Sequence, residues 1–190
     1  ETDDTLLAKY LDGEEISETE MKSALRRATV NSKLVPVLCG AAVTKRGVYH
    51  LLNAIVDYLP SCLDKPAIKG NDLAMEKELT RLPEKGAPFS ALAFKVVTDP
   101  FAGRLVYFRV YSGQAVSGAS VFNSTKGVKE RLGRCVRMHA NRREELELIP
   151  AGDIGATVGL KDTFTGDTIC DVNDPIILEP PRFPEPVISV

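Results

Sequence analysis

The chain has 190 residues, of which 44% are hydrophobic and 26% are charged. This length allows one full domain plus part of another, and the mixture is typical of soluble globular proteins, so a large multidomain enzyme and wholesale disorder are excluded. The longest stretch without a charged or hydroxyl side chain, 34–43, is half of the ~20 residues needed to cross a bilayer. The acidic amino terminus lacks signal-peptide character, and we therefore expect a cytoplasmic protein.

Charge is separated along the chain, although the net charge is only −2. Residues 1–22 carry eight acidic and two basic side chains, whereas residues 126–143 carry seven basic side chains and one acidic one. This basic stripe favours binding to RNA phosphates with a strong salt dependence. The alternative is a solvated strand face that Glu144, Glu145 and Glu147 neutralise, and composition alone leaves both interpretations open.

The cysteines and histidines do not form a metal-binding pattern. Cys39, Cys62, Cys135 and Cys170 contain no C-x-x-C pair, which predicts reduced and mostly buried thiols. His50 and His139 are far apart in the sequence. We therefore expect neither a zinc site nor any other metal site.

Helical periodicity dominates the first 64 residues. Apolar residues between Leu6 and Leu11 predict a helix over 5–11, which Asp12-Gly13 ends. Ser17 and Glu20 form a capping box that predicts a second helix running to about Val30. A third predicted helix carries apolar residues at i, i+3, i+4, i+7 and i+11 and ends before a proline: Val48, Leu51, Leu52, Ile55, Leu59 and Pro60. Residues 35–39 predict a short buried strand whose partner strands lie outside this chain, and its unpaired edge predicts a contact between copies or shielding by the second domain.

A polar, turn-rich segment, 65–86, predicts a linker. After it, the spacing of apolar residues changes from the helical period to the two-residue period of a strand. Five β-rich runs separated by Gly, Pro and Asp then predict an antiparallel barrel over residues 87–174: 89–97, 104–111, 120–123, 133–139 and 153–160. In the second run, Val106, Phe108 and Val110 alternate with polar residues and are expected to line the core. The proline-rich residues 175–190 predict a second linker, leading to a third domain.

The motifs for nucleotide chemistry are absent. The chain contains neither the phosphate-binding pattern G-x-x-x-x-G-K-S/T nor a guanine-reading N-K-x-D. The pairs Gly152-Asp153 and Gly166-Asp167 are typical of turns. A distant alternative is a free-standing barrel enzyme with His139 and Asp153 or Asp167 as acid and base.

Several motifs resemble one translation-factor family. The run G-R-C-V-R-M-H-A-N at 133–141, followed by A-G-D-I at 151–154, V-G-L-K-D at 158–162 and T-G-D-T-I-C-D at 165–171, resembles the second domain of bacterial elongation factor G. Upstream, D-G-E-E-I at 12–16, V-P-V-L-C-G-A-A at 35–42 and V-D-Y-L-P at 56–60 resemble the end of that factor's GTPase domain. The resemblance implies an α/β remnant of a P-loop GTPase domain over 1–64, including the tail of its helical insert, and an all-β antiparallel translation-factor barrel.

The resemblance also implies a role in protein synthesis. The chain would be a fragment of the GTP-dependent ribosomal translocase, catalytically inert by itself and without its own cofactor, while the full-length parent binds GTP and Mg²⁺. Gly40, Ala41 and Ala42 would correspond to the last guanine-nucleotide motif, usually Gly-Ser-Ala, whose backbone N–H groups help to read the base. The closest alternative is a paralogous ribosomal GTPase of the ribosomal-protection or release type.

The implied partners are parts of the ribosome, with tRNA and mRNA moved indirectly and no membrane involved. The barrel would dock on small-subunit ribosomal RNA, and the acidic residues 1–34 would lie near a stalk protein. The expected phosphate contacts are Arg134, Arg137, His139, Arg142 and Arg143, with Tyr111-Ser112-Gly113 as a backbone-contact loop. The sequence does not show which strand face these residues occupy.

Overall fold

The computed structural model describes residues 2–99, 103–139 and 142–182. The chain divides into two compact units, Glu1–Lys65 and Pro66–Val190. This division lies one residue from the boundary expected after residue 64.

The first unit contains three α-helices and a short 3₁₀ turn. They are α1 (Asp4–Leu11), α2 (Glu18–Val30), α3 (Val48–Tyr58) and the 3₁₀ turn Cys62–Asp64. The Asp3 carboxylate caps α1 by accepting the Leu6 N–H at 3.2 Å. At α2, the Ser17 hydroxyl and the Glu20 carboxylate each accept a backbone N–H of the other residue, which confirms the predicted capping box.

The first unit has little buried core, and ion pairs join its elements. Ala28 and Ala54 are its buried hydrophobic residues among those described. Lys9 Nζ contacts Glu20 Oε1 at 2.5 Å and so joins α1 to α2. The Arg26 guanidinium joins α2 to the segment after α3, since Nη2 contacts Asp64 Oδ2 at 2.6 Å.

The predicted strand over 35–39 is wrong. Residues 34–40 form no regular secondary structure, and Val35 and Val37 are 81% and 92% exposed. A strand is stabilised by hydrogen bonds to neighbouring strands, and no strand of the first unit is described that could pair with this segment. The segment is therefore irregular and mostly open to solvent.

The described residues of the second unit form antiparallel strands in three sheets. The strands are β1 (Ile68–Asn71), β2 (Glu78–Arg81), β3 (Ser90–Asp99), β4 (Gly103–Ser112), β5 (Gln114–Val116), β6 (Ser120–Asn123), β7 (Val128–Arg131), β8 (Cys135–His139), β9 (Arg142–Leu146), β10 (Leu148–Pro150), β11 (Ile154–Val158), β12 (Thr168–Cys170) and β13 (Ile177–Leu178). The largest sheet has the order β7-β6-β12-β3-β4-β11-β8-β9, and the smaller ones are β10-β5 and β13-β1-β2. This arrangement confirms the predicted antiparallel β architecture.

One face of the large sheet closes around a single core. Val106, Phe108 and Val110 of β4 are fully buried there, as the alternation in this run predicts. The same core receives residues from strands far apart in the sheet, including Val121 of β6 and Cys135 of β8. Because these distant strands share one core, the sheet is rolled into a barrel.

Both predicted linkers contribute strands, which corrects the sequence-based assignment. The segment 65–86 contains β1 and β2, and β13 pairs with β1 through Gly70↔Leu178. These strands pack over the outer side of the barrel, where Leu92, Ile176 and Leu178 are buried together. The prediction failed because these strands have only two to four residues and lie among turn residues. Residues 183–190 lie outside the described residues.

The Gly-Asp pairs are turns, as predicted. Gly152 and Gly166 have φ values of +91° and +95°, and the Asp153 and Asp167 N–H groups donate to the carbonyls three residues earlier, at 3.2 and 3.1 Å. Asp167 is buried, and its Oδ2 accepts the Phe164 N–H at 2.8 Å and Asn123 Nδ2 at 3.0 Å. Asp167 therefore has a structural role and is not a free acid for the alternative barrel enzyme.

The four cysteines are free thiols in different surroundings. Cys135 and Cys170 are buried, Cys62 is half-buried and Cys39 is exposed. Burial in apolar surroundings raises the pKa of the Cys135 and Cys170 thiols. The prediction of buried thiols therefore holds for the two cysteines of the barrel.

Candidate nucleic-acid interface

The predicted phosphate contacts of the basic stripe lie on the β8–β9 hairpin or directly before it. The two strands pair in the register Cys135↔Leu146, Val136↔Glu145, Arg137↔Glu144, Met138↔Arg143 and His139↔Arg142. The neighbouring strand β11 pairs with β8 only at Cys135 and Val136. The hairpin therefore extends past β11, and its connecting residues 140 and 141 lie outside the described residues.

The register divides the predicted basic residues between two faces. Residues directly opposite each other in an antiparallel pair share a face, and successive residues alternate. Arg137, His139 and Arg142 therefore lie on the side that continues from the buried Cys135, which we call the core-side face. Arg143 lies on the other side, the outer face, where Arg134 also contacts Glu145.

Acidic neighbours partly neutralise the stripe. Arg137 Nη2 donates to Asp153 Oδ2 at 2.9 Å, and its Nη1 lies 3.9 Å from Glu144 Oε2. Arg134 Nη1 contacts Glu145 Oε1 at 3.0 Å. Such solvent-exposed pairs are worth about 1 kcal/mol or less, so a phosphate can replace the carboxylate at little cost. Glutamate neutralisation, the alternative open at the sequence level, thus operates in part.

His139 and Arg142 differ from these paired arginines. Both are exposed, and within the described part of the chain neither makes a hydrogen bond or an ion pair. They are directly opposite each other at the end of the hairpin. The core-side face therefore ends in two polar side chains that are accessible to an anionic ligand.

The segment Tyr111-Ser112-Gly113 is mostly internal. The Ser112 hydroxyl is buried, lies 2.7 Å from Ser90 Oγ and donates to the Pro88 carbonyl at 2.6 Å. The Gly113 N–H donates to the Glu84 carbonyl, and the Gly113 carbonyl accepts the Ala151 N–H, each at 3.0 Å. The Ser112 hydroxyl and both backbone groups of Gly113 are therefore bonded within the protein, and these two residues do not enter the interface proposed below.

The loop at Gly40, Ala41 and Ala42 forms a small hairpin before α3. The Ala41 N–H donates to the Arg46 carbonyl at 3.0 Å, and the Arg46 N–H donates to the Ala41 carbonyl at 3.1 Å. The loop borders a concavity of about 220 Å³. Because the Ala41 N–H is already bonded, it is not available to a guanine base in this conformation.

The described residues contain no cluster of three or more His, Cys, Asp or Glu side chains suited to a metal ion. No helix in this part of the chain has both the length and the apolar character needed to span a membrane.

Sequence reasoning missed Asp153 as a partner of Arg137. Asp153 lies 16 residues after Arg137 in the sequence, so no local pattern brings them together. The sequence does name Glu144 as a neutralising side chain, and the register places it opposite Arg137.

Residues 88–172 match the family model for elongation factor G domain 2. The barrel is therefore similar to domain 2 of elongation factor G. A crystal structure of a Thermus thermophilus protein is also similar, with a TM-score of 0.70 and 26% sequence identity over 98% of this chain. The present chain spans 26% of the length of that solved chain.

The structural similarity extends beyond the barrel. Coverage of 98% includes the helical first unit, so both units have counterparts in the Thermus protein. The fold is therefore a small helical part followed by a translation-factor barrel, as the motifs of the sequence predict.

Proposed function

We propose that this chain is part of a longer elongation factor of the G type, the GTP-dependent ribosomal translocase, and that its barrel docks on small-subunit ribosomal RNA. The domain 2 match supports the elongation-factor assignment. The chain's span of about a quarter of a longer solved protein supports its place within a larger polypeptide. Protein synthesis then places it in the cytoplasm.

The core-side face of the β8–β9 hairpin is the RNA-contacting surface in this proposal. The observation that carries it is the pairing of His139 with Arg142 at the end of a hairpin that extends past β11. Arg137 follows on the same face and exchanges Asp153 for a phosphate. Contacts to phosphates position a protein on RNA without reading its sequence, which suits a docking body.

The test compares two double variants of the chain. Arg137→Ala with Arg142→Ala removes two cations from the core-side face, and Arg134→Ala with Arg143→Ala removes two from the outer face. Binding to transcribed small-subunit ribosomal RNA is measured over a range of salt concentrations. Each lost phosphate contact lowers the slope of log K against log salt by about 0.7–0.9, so the first variant should lose about 1.5 in slope.

The outer-face variant is the charge-matched control and should keep the slope of the parent chain. Equal slopes for all three proteins, or equal losses for both variants, would contradict the assignment to the core-side face. A ribosomal-protection or release-type factor would share this RNA contact. That alternative is separated by testing whether the full-length protein supports tRNA–mRNA translocation.

The segment is proposed to be catalytically inert. GTP and Mg²⁺ would bind in the missing part of the GTPase domain of the parent, where Gly40, Ala41 and Ala42 would lie beside the guanine base. Turnover of GTP by the isolated chain would contradict this proposal, and any other hydrolytic activity that depends on His139 would favour the barrel-enzyme alternative.

The acidic helices are proposed to face a basic ribosomal stalk protein. Asp4, Asp12, Glu14 and Glu15 are exposed on and after α1, which supplies the negative surface for such a contact. The tRNA and mRNA would be moved indirectly, through the docked factor.

A further inference from the structure

The outer face of strands β4, β11 and β8 carries a second apolar cluster, separate from the barrel core. Leu105, Val136 and Ala156 form its buried floor. Tyr107, Met138 and Val158 pack around them and are half-buried. Ile154, on the same side of β11 as Ala156, is 51% exposed. We call these seven residues the outer patch.

The outer patch differs from the other apolar cluster on the outside of the barrel. That second cluster, around Leu92 and Cys170, is covered by β1 and β13, whose Ile68 and Leu178 pack on it. The members of the outer patch come from β4, β8 and β11 alone within the described residues. The accessible part of the outer patch consists of Ile154 and the half-buried Tyr107, Met138 and Val158, and contiguous accessible apolar surface is a mark of interaction sites.

Cationic side chains border the outer patch. The register places Arg109 opposite Ile154, Arg143 opposite Met138 and Lys95 opposite Tyr107, so all three lie on the outer side. Lys95 Nζ lies 5.7 Å from the ring centre of Tyr107. The acidic side chain on this side of the hairpin, Glu145, is paired with Arg134. The border therefore carries a positive charge around an apolar centre.

We propose that the outer patch docks an acidic amphipathic segment of another protein. Its accessible centre is aliphatic, with Ile154 and Met138, and the Tyr107 hydroxyl is the one polar side-chain group among the seven residues. Interfaces with nucleic acids are polar and positively charged throughout, whereas protein interfaces have an apolar centre inside a polar rim. Arg109 and Lys95 then select acidic residues that flank the apolar side of the partner segment.

This surface is independent of the proposed RNA contact. Arg143 and Met138 lie on the outer face of the β8–β9 hairpin, and Arg137, His139 and Arg142 lie on its core-side face. One hairpin therefore serves two partners on opposite sides, and variants of one face leave the other intact.

The test uses a fluorescent helical peptide of about 18 residues, or five turns, with leucines along one side and glutamates on both flanks. Its binding to the whole chain is measured by fluorescence anisotropy, beside a peptide with lysine for every glutamate and a scrambled glutamate peptide. We expect the glutamate peptide to bind at least about tenfold more tightly than either control. Ile154→Asp and Arg109→Glu should each weaken its binding about tenfold, while Arg137→Ala should leave it unchanged.

Three results would overturn the proposal: equal binding of the three peptides, no binding, or binding that Ile154→Asp leaves unchanged. Displacement of the bound peptide by single-stranded RNA, with loss of that RNA binding in Ile154→Asp, would reassign the patch to nucleic acid. Both variants change exposed side chains, and unchanged circular dichroism melting curves show that the barrel is intact. Cross-linking from a photoreactive leucine analogue in the peptide to Met138 or Ile154 gives a second readout.

Discussion

Gly113, between β4 and β5, lies where the surrounding backbone leaves no room for a side chain. Its φ is +64°, and a Cβ there would lie 2.5 Å from the Ala87 carbonyl oxygen and 2.8 Å from the Phe89 Cα. Both neighbours are backbone atoms, so neither can move aside without shifting the start of β3. The segment before β3 and the end of β4 are therefore held in contact at this point.

We expect Gly113→Ala to destabilise the barrel by about 2–4 kcal/mol, since left-handed strain and the backbone clash act together. Gly127→Ala is the matched control, because Gly127 has a φ of +69° and nothing within 4 Å of an added Cβ. Gly127→Ala should cost only the strain, about 1–2 kcal/mol. Urea unfolding followed by circular dichroism measures the stability of both variants. Equal losses of unfolding free energy would show that the backbone around Gly113 relaxes and relieves the clash.

Glu20 gives the first unit a dependence on pH. The Lys9 ammonium, together with the Ser17 N–H and hydroxyl, lowers the pKa of Glu20 from 4.5 to about 2. Because the folded pKa lies below the unfolded one, this stabilisation is complete above about pH 4.5 and is lost as the pH falls towards 2. Glu20→Gln should remove that part of the acid dependence.

Helix content measured by circular dichroism between pH 6 and pH 2 tests the Glu20 prediction. Glu15→Gln removes the same charge from an exposed position and should leave the acid transition where it is. If Glu20→Gln and the parent chain lose helix content at the same pH, the ion pair between α1 and α2 does not stabilise the unit.

At the scale of whole elements, the strands β1, β2 and β13 are part of the folded barrel unit. Ile176, just before β13, is fully buried with Leu92 and Leu178. We expect Ile176→Ala to cost about 2–5 kcal/mol, whereas Ile154→Ala, at an exposed position, should change stability by about 0.5 kcal/mol or less. Urea unfolding of the two variants compares them directly. Equal stabilities would mean that the β13 segment behaves as the linker that its composition suggests.

The strands that the sequence predicts are those with one buried face. β3, β4, β6, β8 and β11 are rich in apolar residues, and each overlaps a predicted run. β9 was missed because Arg142, Arg143, Glu144 and Glu145 carry charges at four successive positions, so it is identified only by pairing with β8. The segment 35–39 fails in the opposite way, because its apolar pattern is that of a buried strand but no described strand of the first unit pairs with it.

Prediction of the candidate site from local sequence is limited in the same way. The sequence identifies Arg137, His139 and Arg142 as basic candidates, but their common face follows only from the register with β9. The burial of Ser112 and Gly113 depends on contacts with Glu84 and Ala151, which no local pattern reveals. The sequence thus identifies the charged residues, but only the long-range pairing of strands shows which of them share a face.

At the scale of the whole molecule, the two units bury their apolar residues to different degrees. The barrel has a continuous core, whereas the first unit leaves an open apolar groove of about 410 Å³, lined by Val35, Leu38, Leu51, Ile55 and neighbouring residues. Exposed apolar surface of this kind promotes association. We therefore expect the chain to associate through its first unit as its concentration rises.

Sedimentation velocity over a range of concentrations tests this association, with Val35→Asp as the disrupting variant. Val35 lines the groove and is 81% exposed, so an aspartate there places a charge in the contact without disturbing a packed core. Val43→Asp adds the same charge at a side chain that is 99% exposed and does not line the groove. The parent chain and Val43→Asp should associate alike, and Val35→Asp should stay monomeric at several-fold higher concentration. A parent chain that remains a monomer throughout would show that the groove does not hold copies of the chain together.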